Sequence, residues 1–136
     1  MKGKRINILA TVAFCIYMAA IGALCFMHGD DLPSINDTWF GIPADKAAHF
    51  IMFCPFIPLS YLMFSKSRSS ISRDIILLTA LMFIGGLTAY ATEIIQERLG
   101  YRTYDTKDLT SDCIGLSAGC AVTIIGLIIK NFSNRH

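Results

Sequence analysis

Charge is what this chain has least of. Asp, Glu, Lys and Arg make up 16% of its 136 residues, against about 25% in an ordinary soluble domain. With an apolar share of 54% and a mean hydropathy of +0.52, the composition points away from a water-soluble globule and towards a membrane protein. Cysteine occurs at Cys15, Cys25, Cys54, Cys113 and Cys120, but no two form a C-x-x-C pair. That excludes zinc-ribbon and thioredoxin-type motifs, and the five read as small apolar packing residues. No basic run is long enough to serve as a nucleic-acid footprint. The chain also lacks a recognisable nucleophile motif, an internal repeat, a low-complexity tract and any sign of a second domain.

Long uncharged runs are plentiful. Ile6 to Met27 is 22 residues without a charge, about 33 Å as a helix, enough to cross a bilayer core. It exceeds the usual length of a signal-peptide core, and no A-x-A site follows it. It reads as a retained transmembrane helix. Ala47 to Phe64 is an 18-residue uncharged run, expected to kink at Pro55 and Pro58. Two further spans follow. The expected fold is all-α: one domain over residues 1–136, with four transmembrane helices at about 6–27, 47–64, 75–96 and 109–129.

Eight of the twelve Lys and Arg residues fall in the N-terminus, the middle loop and the tail, whereas nine of the ten acidic residues fall on the other side. The positive-inside rule then places both termini in the cytoplasm. In the polar connection from His28 to Lys46, Trp39 and Phe40 suit a bilayer interface, as do Tyr101 and Tyr104 later.

Half of the acidic residues lie between Glu93 and Asp112. An ionisable group at a helix centre in a membrane costs roughly 2.5 kcal/mol or more, so it is paired, shielded from lipid, or functional. On the third span Gly85, Ala89, Glu93 and Gln96 share one face, which turns Glu93 towards the bundle interior. On the fourth, Asp108 and Asp112 share a face, and Ser111, Gly115 and Gly119 make a small-xxx-small stripe. That stripe suits either internal packing or a homodimer contact. Asp45 is positioned to cap the second span, with His49 one turn on. The topology brings Asp45, Lys46, His49, Glu93, Gln96, Arg102, Asp105, Asp108 and Asp112 to one end of the bundle.

The ordered set Asp45-Lys46-x-x-His49-Phe50, Glu93-x-x-Gln96, Arg102-x-x-Asp105-x-x-Asp108 and Gly115-x-x-x-Gly119 resembles the VanZ-like family of bacterial membrane proteins over about residues 43–122. Asp112 departs from that pattern, which commonly has Asn there. The resemblance implies a small multi-pass protein of the bacterial cytoplasmic (inner) membrane, acting at the cell envelope. The founding member is associated with teicoplanin resistance.

Three readings of the polar layer stay open. It binds an amphipathic or lipid-linked envelope molecule, with Arg102 or Lys46 meeting a phosphate or carboxylate. It is an enzyme site, with His49 and Glu93 as candidate acid–base residues and Asp105, Asp108 and Asp112 as candidate ligands for Mg²⁺ or Ca²⁺. Or it is structural, with Glu93 paired to Arg102 or His49, Gln96 bonded to a loop carbonyl, and Asp108 capping the fourth helix. No cofactor is required by the sequence; a divalent cation is the candidate one.

Overall fold

The computed structural model describes residues 2–26, 38–39, 41–65, 70–100 and 103–133. Helix α1 spans Lys2–Phe26. A two-residue antiparallel pair follows, β1 (Thr38–Trp39) with β2 (Ile42–Pro43), in the register Thr38↔Pro43 and Trp39↔Ile42. Gly41 makes the turn between them at φ 79°, a left-handed conformation that a side chain disfavours. The remaining elements are α2 (Ala44–Phe53), α3 (Phe56–Phe64), α4 (Ile71–Arg98) and α5 (Thr106–Ser133).

The architecture is the expected all-α membrane bundle. Three helical stretches are long and apolar enough to cross a bilayer: Ala44–Phe64, Ile71–Arg98 and Thr106–Ser133. The 25 residues of α1 extend about 38 Å, room for a fourth crossing, and its described apolar stretch is Ile8–Leu24. Large apolar side chains such as Leu9, Ile76, Phe83 and Phe132 stand on the outer surface, each at least 65% exposed. In lipid such a surface carries no penalty, because the surrounding solvent is as apolar as the side chains.

The helices outrun the apolar runs. The second begins at Ala44 and not at 47, the third at Ile71 and not at 75, and the fourth covers Thr106–Ser133 and not 109–129. At the starts of α4 and α5 a polar residue caps the added turn. The Ser70 hydroxyl accepts from the Arg73 N–H at 3.4 Å, and the Asp105 carboxylate accepts from the Lys107 N–H at 2.8 Å. Asp105 is thus the residue that caps α5, while Asp108 lies inside its first turn. Asp45 does not cap α2 either: the residue ahead of that helix is Pro43, and Asp45 sits within the first turn. Gly100, left-handed at φ 70°, follows the end of α4, a common position for such a residue.

The prolines act as expected and also set the packing. Cys54 and Pro55 form a turn that separates α2 from α3. Pro58 has no N–H, so the Cys54 carbonyl four residues earlier loses its helical donor. That carbonyl faces Gly119 of α5 closely enough that a Cβ there would overlap it. One turn along, a Cβ on Gly115 would lie 2.5 Å from the Phe50 oxygen. Both glycines therefore serve the close approach of α5 to the α2 segment within the chain. The core behind them is Phe53, Phe56, Ile57, Tyr61, Leu78, Leu81, Ala89 and Leu116. Cys15 and Cys113 are exposed on the outer surface, so they are not core packers. At the opposite end of the bundle from Glu93, the Tyr61 hydroxyl donates to Asp74 at 2.8 Å and ties α3 to α4.

Candidate functional site

The start of α2, the end of α4 and the start of α5 meet at one end of the bundle. His49 lies five residues into α2, Glu93 five residues before the end of α4, and Asp112 six residues into α5. At 1.5 Å per residue each is about 8–9 Å below its helix end. Three helices thus deliver one polar side chain each to the same depth.

The site has two tiers. The outer tier is centred on Lys46. Its ammonium donates to Asp105 at 2.7 Å and to Asp108, and stands 3.6 Å from Asp45. Asp105 lies just outside the helix, and the Lys46 ammonium beside it, with the Lys107 N–H, holds its carboxyl below the usual carboxylate range. The inner tier is centred on His49. Its Nδ1 is 3.0 Å from Asp112 Oδ1 and 3.8 Å from Glu93 Oε1, while Nε2 is 3.7 Å from Asp108 Oδ2. Asp108 therefore links the tiers, bound by Lys46 above and facing His49 below. His49, Glu93, Asp108 and Asp112 are all buried, and Asp112 is fully so.

Burial makes this arrangement unusual in one respect. Glu93 Oε1 and Asp112 Oδ2 are buried and have no hydrogen-bond partner. Leaving one such atom unsatisfied costs about 1–3 kcal/mol, more if charged.

Seven of the nine expected site residues, Asp45, Lys46, His49, Glu93, Asp105, Asp108 and Asp112, are joined by these contacts; Arg102 lies outside the described residues. Gln96 is buried one turn closer to the helix end than Glu93, on the same face. The expected metal trio regroups. Asp105 is drawn to Lys46, and among the described residues the metal-capable clusters are Asp45–His49–Asp108 and His49–Glu93–Asp112, each with its ligand atoms within 4.8 Å of one another. His49 belongs to both. The Lys46 ammonium is committed to carboxylates of the chain itself, which removes it as the cation for an external phosphate.

A second feature was not visible as a motif. On the face of α2 turned towards α1, away from Lys46 and His49, α1 and α2 flank an apolar groove of about 460 Å³, lined by Tyr17, Ile21, Ala44, Ala48, Ile51 and Met52 among others. The Tyr17 hydroxyl donates to the Met52 carbonyl at 2.5 Å and fixes the groove floor. The groove begins at Ala44, in the same turn of α2 as Asp45 and Lys46. Alanines at 44, 47 and 48 keep it open, a small-residue pattern that sequence reasoning passed over for want of the α1 partner. A comparison with protein-family models, curated proteins and solved structures finds no match for this chain.

Proposed function

We infer that the chain is a VanZ-like protein of the bacterial inner membrane, with both termini cytoplasmic, that holds a lipid-linked or lipoglycopeptide-like envelope molecule at its outer end. The observation that carries this reading is that the same first turns of α2 carry polar tiers on one face and wall an apolar groove on the other. An amphiphile needs both: an apolar slot for its tail and hydrogen-bonding groups for its head, at one membrane depth. The motif resemblance supplies the bacterial envelope context, and the distribution of Lys and Arg supplies the orientation.

The head group lies at the outer end, with Arg102, which follows α4 in the sequence, as its cation. The tail lies between α1 and α2. A thermal-shift series tests this with an isoprenoid phosphate, the matching isoprenol and teicoplanin, on the wild type and on Ala48→Phe, which fills the exposed groove wall. A ligand at 100 times its dissociation constant stabilises by about 2.7 kcal/mol. The expected result is a shift with at least one phosphate- or glycopeptide-headed amphiphile, reduced in Ala48→Phe. No shift with any of them, or the same shift in Ala48→Phe, refutes the reading.

A further inference from the structure

We propose that His49 Nδ1, Glu93 and Asp112 form a binding site for a divalent first-row transition-metal ion. The starting observation is the pair of orphaned oxygens. Glu93 is 3% exposed and Asp112 is 0% exposed, and each buries one oxygen without a partner, Oε1 and Oδ2. The orphaned Glu93 Oε1 stands 3.8 Å from His49 Nδ1, and Asp112 reaches the same nitrogen through its other oxygen, Oδ1, at 3.0 Å. The three side chains offer ligand atoms that all lie within 4.8 Å of one another.

The spacing fits an ion. Donor atoms about 2.1 Å from a common metal stand roughly 3.0 Å apart at right angles and roughly 3.4 Å apart at the tetrahedral angle. The observed 3.0 and 3.8 Å bracket those values, so small side-chain rotations close the site. Charge points the same way. Glu93, Asp108 and Asp112 are three buried carboxylates, and Lys46 supplies one ammonium, bound to Asp108. Buried negative charge needs compensation, and a dication at the inner tier offsets the two carboxylates that Lys46 does not reach.

The alternative cluster, Asp45–His49–Asp108, is the poorer site. Two of its members stand against the Lys46 ammonium, which repels a second cation. In the favoured site Asp108 has a different role. With Nδ1 on the metal, the Nε2–H of His49 faces Asp108 Oδ2 at 3.7 Å, and Asp108 is anchored by Lys46. A carboxylate behind a ligating histidine fixes its ring and tautomer. One imidazole and two carboxylates suit Zn²⁺ or Mn²⁺ in preference to Mg²⁺ or Ca²⁺, which select all-oxygen shells. Three protein ligands leave a position for a water or ligand oxygen. This site stands independently of the amphiphile reading, since neither the groove nor Arg102 contributes to it.

The test uses the tag-free full chain in detergent micelles, stripped with chelator and then equilibrated with Zn²⁺, Mn²⁺, Mg²⁺ or Ca²⁺. Metal content is measured after desalting, beside Glu93→Gln, Asp112→Asn and the exposed control Glu97→Gln. The expected result is about one Zn²⁺ per chain, retained in Glu97→Gln and weakened at least tenfold in the two site variants. Without metal, the site variants melt no lower than wild type, because each removes a buried charge with an unpartnered oxygen. Co²⁺ added to wild type gives a second readout: its visible absorption should differ from that of the aqueous ion. Substoichiometric Zn²⁺ in wild type, equal binding in both site variants, or an aqueous-like Co²⁺ spectrum overturns the proposal.

Discussion

Gly115→Ala should open the candidate site without touching any of its polar groups. A Cβ at position 115 would stand 2.5 Å from the Phe50 oxygen and 3.2 Å from the Cys54 nitrogen. Both neighbours are backbone, so no side chain can rotate away. Ordinary contact begins at 3.4 Å, so α2 and α5 must separate locally by roughly 0.9 Å, at an overpacking cost of about 1–3 kcal/mol. His49 is the residue next to Phe50, and Asp112 lies one turn before Gly115. Separation along that line would stretch the His49–Asp112 contact from 3.0 Å beyond hydrogen-bonding range. Gly126→Ala is the control, because nothing lies within 4 Å of its added Cβ, and in an exposed helix the change is favourable by up to about 1 kcal/mol. Melting of the detergent-solubilised protein, followed by size-exclusion chromatography after heating, should rank Gly115→Ala below wild type and Gly126→Ala at or above it. Equal melting of both variants would refute the assignment of this glycine to the α2–α5 contact. Lowered stability with undiminished metal binding would separate the packing from the geometry of the inner tier.

Asp105→Asn keeps a capping side chain for α5 while removing the charge that Lys46 binds. Its folded-state carboxyl is held below its ordinary range by Lys46. Its stabilising contribution is therefore full above about pH 4 and lost as pH falls through the lowered value. The melting-temperature gap between wild type and Asp105→Asn should be present at pH 7 and shrink below pH 4; a gap independent of pH would remove the ion pair as its cause. Orientation is checked on a cysteine-free background. Thr103→Cys should react with a membrane-impermeant maleimide added to intact cells, and Ser70→Cys only after lysis. The reverse pattern would invert the proposed topology.

Much of the site was legible because the relevant signals are local. Uncharged runs set the helix count, and helical periodicity turned Glu93 and Asp112 inward. Alternating short loops then required the start of α2, the end of α4 and the start of α5 to lie at one end. His49, Glu93 and Asp112 meet at one depth for that reason alone. Helix ends were less legible, since polar residues such as Ser70 and Asp105 extend a helix past its apolar run, and hydropathy reports only the run.

The membrane class, the helical architecture and the inward faces of Glu93 and Asp112 were legible in the sequence, because each follows from spacing along a single helix. The pairings within the polar layer came instead from how the helices pack. Whether Lys46 reaches Asp105 or Asp112, whether Asp45 or Asp105 caps a helix, and which two oxygens are left without partners depend on the rotation and axial offset of three helices. Those offsets are set by close contacts far along the chain: Gly115 on the Phe50 carbonyl, Gly119 on the Cys54 carbonyl that Pro58 frees, and Gly85 against Leu116 and Phe56. A shift of less than an ångström there separates a hydrogen bond from a bare contact at His49, and no periodicity in the sequence carries that information.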